Sequence, residues 1–486
     1  MAEKQLLDED FVLEEMAYWK VPGLAIGAIH NGNVTLLRGY GKKNLADNAP
    51  VTPDTQFGIA SCSKSFTSGL IAMLVDEGRL DYDTPVKEYM PGFEMYDPIA
   101  TAQMTLRDML CHRTGLPAHD ALAFVDTISR EELSRRLRYV QPNKPFRSVA
   151  QYNNLIYAMS GHVAERVTGR TWDDLIRERI FMPLGMTNSN TSVKDMVKAP
   201  DYATPYIDPG EGLPVREMAI WNVDLAGPAA AINTSARDML KWLQLHIQNG
   251  VWEGAQLISE RNMAEMHTPI TQFDAWPWSF SEILPRTGYG MAWFIEQYRG
   301  NPLHWHTGEI EGYCSIEAVM PQARAGFVLL MNLHKPCIPI IKTLLYTMLD
   351  NVLGLPAVDW SARFHAAKGK FKAFYYHWDA NLLPDPPVPG TSLSHEPEAY
   401  VGLYHNPGYG DFEIRHKNGM FTGVYRNCEQ VMEHYHYDTF KVPDIKEDTI
   451  FLTAPLTFHI NPYTGDFDRL SITLEPELAP IVFMKK

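Results

Sequence analysis

The chain has 486 residues, 45% of them hydrophobic and 21% charged, which is more than one compact core accommodates, so two or three domains are expected. Its formal net charge of −15 denies a nucleic acid the basic face that phosphate binding needs and favours neutral or cationic small molecules over polyanions. No apolar run is long enough to span a membrane, and residues 1–10 show no basic segment followed by an apolar one. A cytoplasmic protein is expected, or an exported one whose leader has been removed. Five scattered cysteines (Cys62, Cys111, Cys314, Cys337, Cys428) without Cys-x-x-Cys spacing read as reduced thiols.

In chain order, residues 23–43 predict a hairpin around the turn Asn31-Gly32-Asn33. Next comes Ser61-Cys62-Ser63-Lys64, at the start of an apolar run of helical length that places Phe66, Leu70, Met73 and Leu74 on one side. Residues 104–230 alternate helical periodicity with Gly and Pro, and Asn233-Thr234-Ser235 is a cap for a helix from Ala236 to Gln248. Closely spaced strand patterns over 289–332, beginning with Gly290 to Ile295, predict an antiparallel meander, and a helix at about 336–353 follows. The expected fold class is α/β (α+β): an antiparallel sheet flanked by helices, with an all-α region in the middle of the chain. Residues 376–397 are Pro-rich and read as a stiff linker. Residues 398–486 carry short strands and turns, as a small β-barrel does. The expected domains are therefore 1–375 and 398–486.

Three segments carry chemistry. Ser61 and Lys64 are three apart, nearly one helical turn, so hydroxyl and amine share a face. An amine of lowered pKa can take the proton of a hydroxyl that is otherwise a poor nucleophile. Alone, such spacing on a helix is usually a coincidence. In Tyr152-Asn153-Asn154, a phenol of lowered pKa can act as a base and an amide can orient a lysine; alone, the segment is a capped helix start. In His306-Thr307-Gly308, Gly308 allows a substrate backbone to approach and the other two offer polar groups; alone, it is a strand end. His434 and His436 alternate on one strand, which suits two partly exposed histidines better than a metal site.

Together and in this order, the three segments resemble the serine penicillin-recognising superfamily: class C β-lactamases, DD-peptidases, and their D-aminopeptidase and esterase relatives. Phe57 to Lys64, the stretch Leu110 to Pro117 and the stretch Thr234 to Met239 support the likeness, which covers roughly residues 8–355. The resemblance implies a β-lactamase-like fold and an acyl-enzyme formed on Ser61, with Lys64 and Tyr152 sharing the base role. It also implies that Asn154 holds Lys64 or the substrate amide, and that the backbone N–H groups of Ser61 and Glu309 form an oxyanion hole. No metal or cofactor is implied. The C-terminal region resembles a lipocalin-like appendage that shapes the cleft or mediates assembly, so a homo-oligomer is a possible state.

Two departures matter. His306 stands where the β-lactamases carry a lysine suited to a substrate carboxylate, and Glu309 and Glu311 stand where small residues are common. His306, together with the appended β domain that the minimal β-lactamase lacks, moves the expectation from β-lactams to small peptides, D-residues included, or esters; Glu309 or Glu311 either receives a free amine or is a solvated turn carboxylate. A carboxylesterase or weak β-lactamase, and a catalytically silent binding module, are the alternatives. Trp276, Trp278 and Phe280, near Pro277 and Pro285, read as packing of a long connection, with a substrate-facing loop as the other reading.

Overall fold

The computed structural model describes residues 6–124, 128–210, 212–273, 280, 288–335, 337–371, 386–426, 428–442 and 454–486. An eight-stranded sheet organises the first part of the chain. The predicted meander is present as Gly288–Tyr289, Phe294–Tyr298, Asn301–Ile310, Tyr313–Met320 and Ala325–Met331, and the last of these pairs antiparallel with Gly23–His30. The hairpin partner Asn33–Asn44 lies beyond it. One expectation fails locally: Gly290 to Trp293 forms a bend between two strands, not a strand, and Ala292 there has φ 79°.

The Gly23–His30 strand is buried on both faces, and its alternate side chains enter two cores. Leu24, Ile26 and Ala28 pack with the N-terminal helix Glu9–Trp19 and the helix Ile338–Leu353. Ala25 and Ile29 pack with the helix Ala236–Ile247, capped by Ser235 as predicted, and with the central helical region. That region contains the two helices that matter most below, Ser63–Asp76 and Asn154–Thr168. None of the described helices is long and apolar enough to cross a membrane.

From Gly402 to Lys485 the chain forms a closed eight-stranded antiparallel barrel, and closure leaves no exposed strand edge. The turn at Asn418-Gly419 has positive φ at both positions (54° and 76°), which is the hairpin turn whose twist matches the strands. Tyr400, Phe412, Phe440, Phe458 and Phe483 fill the interior, and a void among Phe412, Met432, Phe440 and Leu456 measures only about 10 Å³. Of the expected linker, residues 376–385 lie outside the described residues. The rest lies against the barrel: Val388 N–H donates to His436 Nδ1 (3.4 Å) and Ser394 N–H to Asp438 (3.0 Å).

Cys314 and Cys337 form a disulfide with Cα atoms 6.2 Å apart. This overturns the expectation of thiols reduced throughout. Spacing along the chain gave no hint of it, because the pair is made by a strand start meeting a helix start. Cys62, Cys111 and Cys428 are free.

Candidate active site

The chain reaches Ser61 through a forced turn. Ala60, buried and non-glycine, has φ 45°, a conformation that costs on the order of 1 kcal/mol or more and persists only where the surroundings impose it. Those surroundings are the Asn301–Ile310 and Tyr313–Met320 strands. Ser315 Oγ donates to Ile59 O at 2.8 Å, and Cys62 Sγ lies 3.4 Å from His306 O. A Cβ on Gly308 would sit 1.9 Å from Ile59 O. Gly308 thus admits the protein's own backbone, where a substrate backbone was expected. Residues Ala60–Cys62 form a 3₁₀ turn, and the α-helix proper begins at Ser63.

Lys64, in the first turn of that helix, is fully buried. Its Nζ lies 3.0 Å from Ser61 Oγ, 2.7 Å from Asn154 Oδ1 and 3.0 Å from Ala229 O. Burial pulls its pKa down to about 7, against the opposing pull of Asp120 and Cys62. Asn154 opens the second helix, whose N-cap Asn153 accepts from Ile156 N–H, so the capped helix start and the lysine contact coexist in one segment. Asn154 Nδ2 donates to Asp120 Oδ1 (3.1 Å). Burial raises the Asp120 carboxyl, while Asn154 and Lys64 work to lower it.

Tyr152 sits just before the cap, held by its neighbours: Gln151 N–H donates to His112 O (2.8 Å) and Asn153 N–H to His112 Nδ1 (3.1 Å). The loop carrying His112 is fixed by Asp108, which takes Arg147 at 2.7 Å and Arg113 at 2.5 Å. Lys64 Nζ stands over the Tyr152 ring, 4.7 Å from its centroid. The phenol differs from expectation: burial pushes its pKa well up, and only the adjacent Ser61 hydroxyl works against this. The hydroxyl is enclosed, with the Ser61 hydroxyl as its polar neighbour.

His306 is buried behind the cavity, between Thr307 O (Nδ1, 2.5 Å) and the Tyr289 hydroxyl (Nε2, 3.1 Å). A carbonyl only accepts, so Nδ1 carries the hydrogen and Tyr289 donates to Nε2. Burial and Lys64 push this imidazole down to about 3. It is neutral, and cannot act as the cation that a substrate carboxylate would seek. Thr307 is partly exposed beside it.

Ser61, Asn154, Glu309 and Glu311 open onto a cavity of about 260 Å³. Asp120, Trp221 and the barrel segment Thr473 to Pro476 also line it. Asp120 and the barrel segment escaped the sequence reading, because neither lies within one of the three motifs. His434 and His436 take separate partners, Tyr437 O and Val388 N–H, and among the described residues no group of three metal-ligating side chains is placed to hold an ion. Trp276, Trp278, Pro277 and Pro285 lie outside the described residues; Phe280 packs on Phe364 with ring centroids 5.0 Å apart.

An antiparallel sheet with a helical region, meeting at a serine and a buried lysine, is the architecture of the β-lactamase-like serine hydrolases. The beta-lactamase family profile matches residues 10–337, and a domain of unknown function, DUF3471, matches residues 386–485. The chain belongs to the beta-lactamase family. It is 30% identical over 443 residues to the "Unguisins hydrolase ungD" of Aspergillus violaceofuscus, covering 84% of this chain and 76% of that protein. The octameric penicillin-binding protein homologue from Pyrococcus abyssi superposes with a TM-score of 0.60 at 22% identity, over 99% of this chain and 100% of that one. The D-amino acid amidase from Ochrobactrum anthropi SV3 gives 0.59 at 22% identity, over 71% of this chain and 98% of that one.

Proposed function

We infer that the protein hydrolyses amide bonds of small peptides through an acyl-enzyme on Ser61. The observation that carries this reading is the threefold environment of Lys64. Two of its three neighbours, Asn154 Oδ1 and Ala229 O, can only accept. A neutral amine gives its two hydrogens to them, and its lone pair then faces Ser61 Oγ. With a pKa near 7, a large share of the lysine is in that neutral form at neutral pH.

The Ser61 proton passes to Lys64 Nζ as Oγ bonds to the substrate carbonyl carbon. The N–H groups of Ser61 and Glu309 receive the negative oxygen. On collapse the C–N bond breaks, and the leaving amine takes a proton from the Lys64 ammonium, with Tyr152, neutral throughout, as the relay. Water then adds to the ester, gives its proton to Lys64 and restores Ser61.

Small peptides fit the cavity volume. The carboxylates of Asp120, Glu309, Glu311 and Glu475 around it, with His306 neutral, favour a substrate amine over a carboxylate. The relative that hydrolyses unguisins and the amidase-like fold agree with amide chemistry. The test is a panel of D- and L-amino-acid p-nitroanilides, p-nitrophenyl butyrate and a cephalosporin, with Ser61→Ala as control. Anilide turnover lost in the Ser61 variant is expected; turnover confined to the ester would make the protein an esterase, and no labelling of Ser61 by a fluorophosphonate would make it a binding module.

A further inference from the structure

The carboxylate of Asp120 stands at the start of a one-turn helix, Asp120–Ala123, whose N-cap His119 makes no side-chain cap bond. Barrel residues hold this turn at both ends. At the start, His119 N–H donates to Glu475 Oε2 and His119 Nδ1 meets the Tyr409 hydroxyl, each at 2.7 Å. His119 Nε2 lies 3.0 Å from Gln141 O, so Nε2 carries the hydrogen. Burial keeps the ring neutral by drawing it down to about 4, which leaves Nδ1 bare and makes Tyr409 the donor. At the other end the Arg426 guanidinium donates to Ala121 O (3.1 Å) and Leu122 O (3.4 Å). It also reaches Tyr409 O (3.2 Å), a carbonyl that Tyr425 engages at 3.1 Å. A continuous path therefore runs from the barrel through His119, Asp120 and Asn154 to Lys64.

We propose that the barrel is a working part of the hydrolytic site: through Tyr409, Glu475 and Arg426 it fixes the helical turn of Asp120 and so aims Lys64 at Ser61. His119, Tyr409 and Arg426 are positioning residues, since none touches the reacting atoms. The proposal rests on the assignment of Lys64 and Ser61 made above. A turn of four residues has almost no stability of its own, so its position is set by what it packs against. Asp120 is the carboxylate that acts on Lys64; the other titratable groups beside that amine are Cys62, Tyr152, Tyr157, His112 and His306.

The test uses the full chain with Tyr409→Phe, which removes one oxygen from a buried ring, and Arg426→Gln as a second variant. Lys64 is titrated by ¹³C NMR of labelled lysine, assigned with Lys64→Arg, alongside the pH dependence of kcat. If the turn is released, Asp120 withdraws its charge, the Lys64 titration and the acid limb of kcat both move to lower pH, and kcat falls about tenfold with KM little changed. Folded variants of lower Tm that keep the wild-type Lys64 titration and kcat would overturn the proposal and leave the barrel a mere anchor. The two readings fail separately. The NMR titration reports on the turn even if amide turnover is absent, and loss of turnover in Ser61→Ala stands whatever Tyr409→Phe does.

Discussion

The cavity has two walls built in opposite ways. On the sheet side, Ser61, Gly308 and Glu309 are set by strands that press on the serine turn at backbone distance. On the barrel side, Thr473 to Pro476 and the turn of Asp120 meet across 356 positions of sequence, as the His119 N–H meets the Glu475 carboxylate. The first wall is tight and intolerant of any added atom. The second is assembled from polar contacts that can be removed singly. On the proposed assignment the reacting groups sit on the rigid wall, while the adjustable wall lines the cavity and reaches Lys64 only through Asp120 and Asn154.

Breaking the rigid wall should cost most. Lys64→Ala is expected to lower kcat about 1,000-fold or more, with near-native circular dichroism, because it removes the proposed base. Gly308→Ala should follow, with about a 100-fold loss of kcat/KM and a destabilisation of about 3 kcal/mol in urea, since Ile59 O leaves no room for a methyl group. If its activity is intact, the sheet wall is softer than described. The pH profile tests the same wall without mutation. Lys64 must be neutral to act, so kcat/KM should rise as pH rises through about 7; a rate that keeps rising only near pH 10 would assign the base to a different group.

Also on the sheet side but away from the reacting atoms, the Glu309 side chain is a smaller target: Glu309→Gln should reduce the preference for free over N-acetylated peptides about fivefold, with kcat on acetylated substrates retained. An unchanged preference removes Glu309 from amine recognition and leaves Glu311 and Glu475. The smallest effect at neutral pH is on stability. His119 and His304 are drawn to about 4, and His246, His306 and His334 to about 3, mainly by burial. Their folded pKa lies below the unfolded value, so the unfolded chain binds more protons on acidification. Stability should be full above about pH 6.5 and fall as pH drops toward 4, by on the order of 1.4 kcal/mol per unit for each such ring. His119 belongs to the barrel contact and the others do not, so His119→Gln should flatten that slope by one ring's share.

These contrasts also explain what was legible in the sequence. Hairpins and helices with local signals, such as Asn31-Gly32 and the Ser235 cap, were readable because their stabilising contacts lie within a few residues. Ser61, Lys64 and Asn154 stood out by their segments, and the fold brings both Ser61 and Asn154 within hydrogen-bond reach of Lys64. The bend at Gly290 to Trp293 was misread because apolar content alone does not separate a strand from a buried turn. The role of Gly308 was assigned to a substrate when the crowding atom was Ile59 O, a contact made 249 residues apart and without a trace in spacing. Asp120 lay beside a supporting stretch and still passed unnoticed. A lone aspartate three residues beyond Pro117 carries no pattern, and its meaning comes from Asn154 and the barrel.

Glu475 both lines the cavity and accepts from His119 N–H. That one carboxylate links two properties that a protein engineer would want to vary separately. A library at position 475 aimed at new substrates would select against its own improvements, because many replacements would unseat the turn of Asp120. Thr473 and Leu474 face the same cavity and are the better places to diversify. By the same logic, exchanging the barrel between related hydrolases would transfer a substrate preference intact only if residue 119 and its barrel contacts travelled with it.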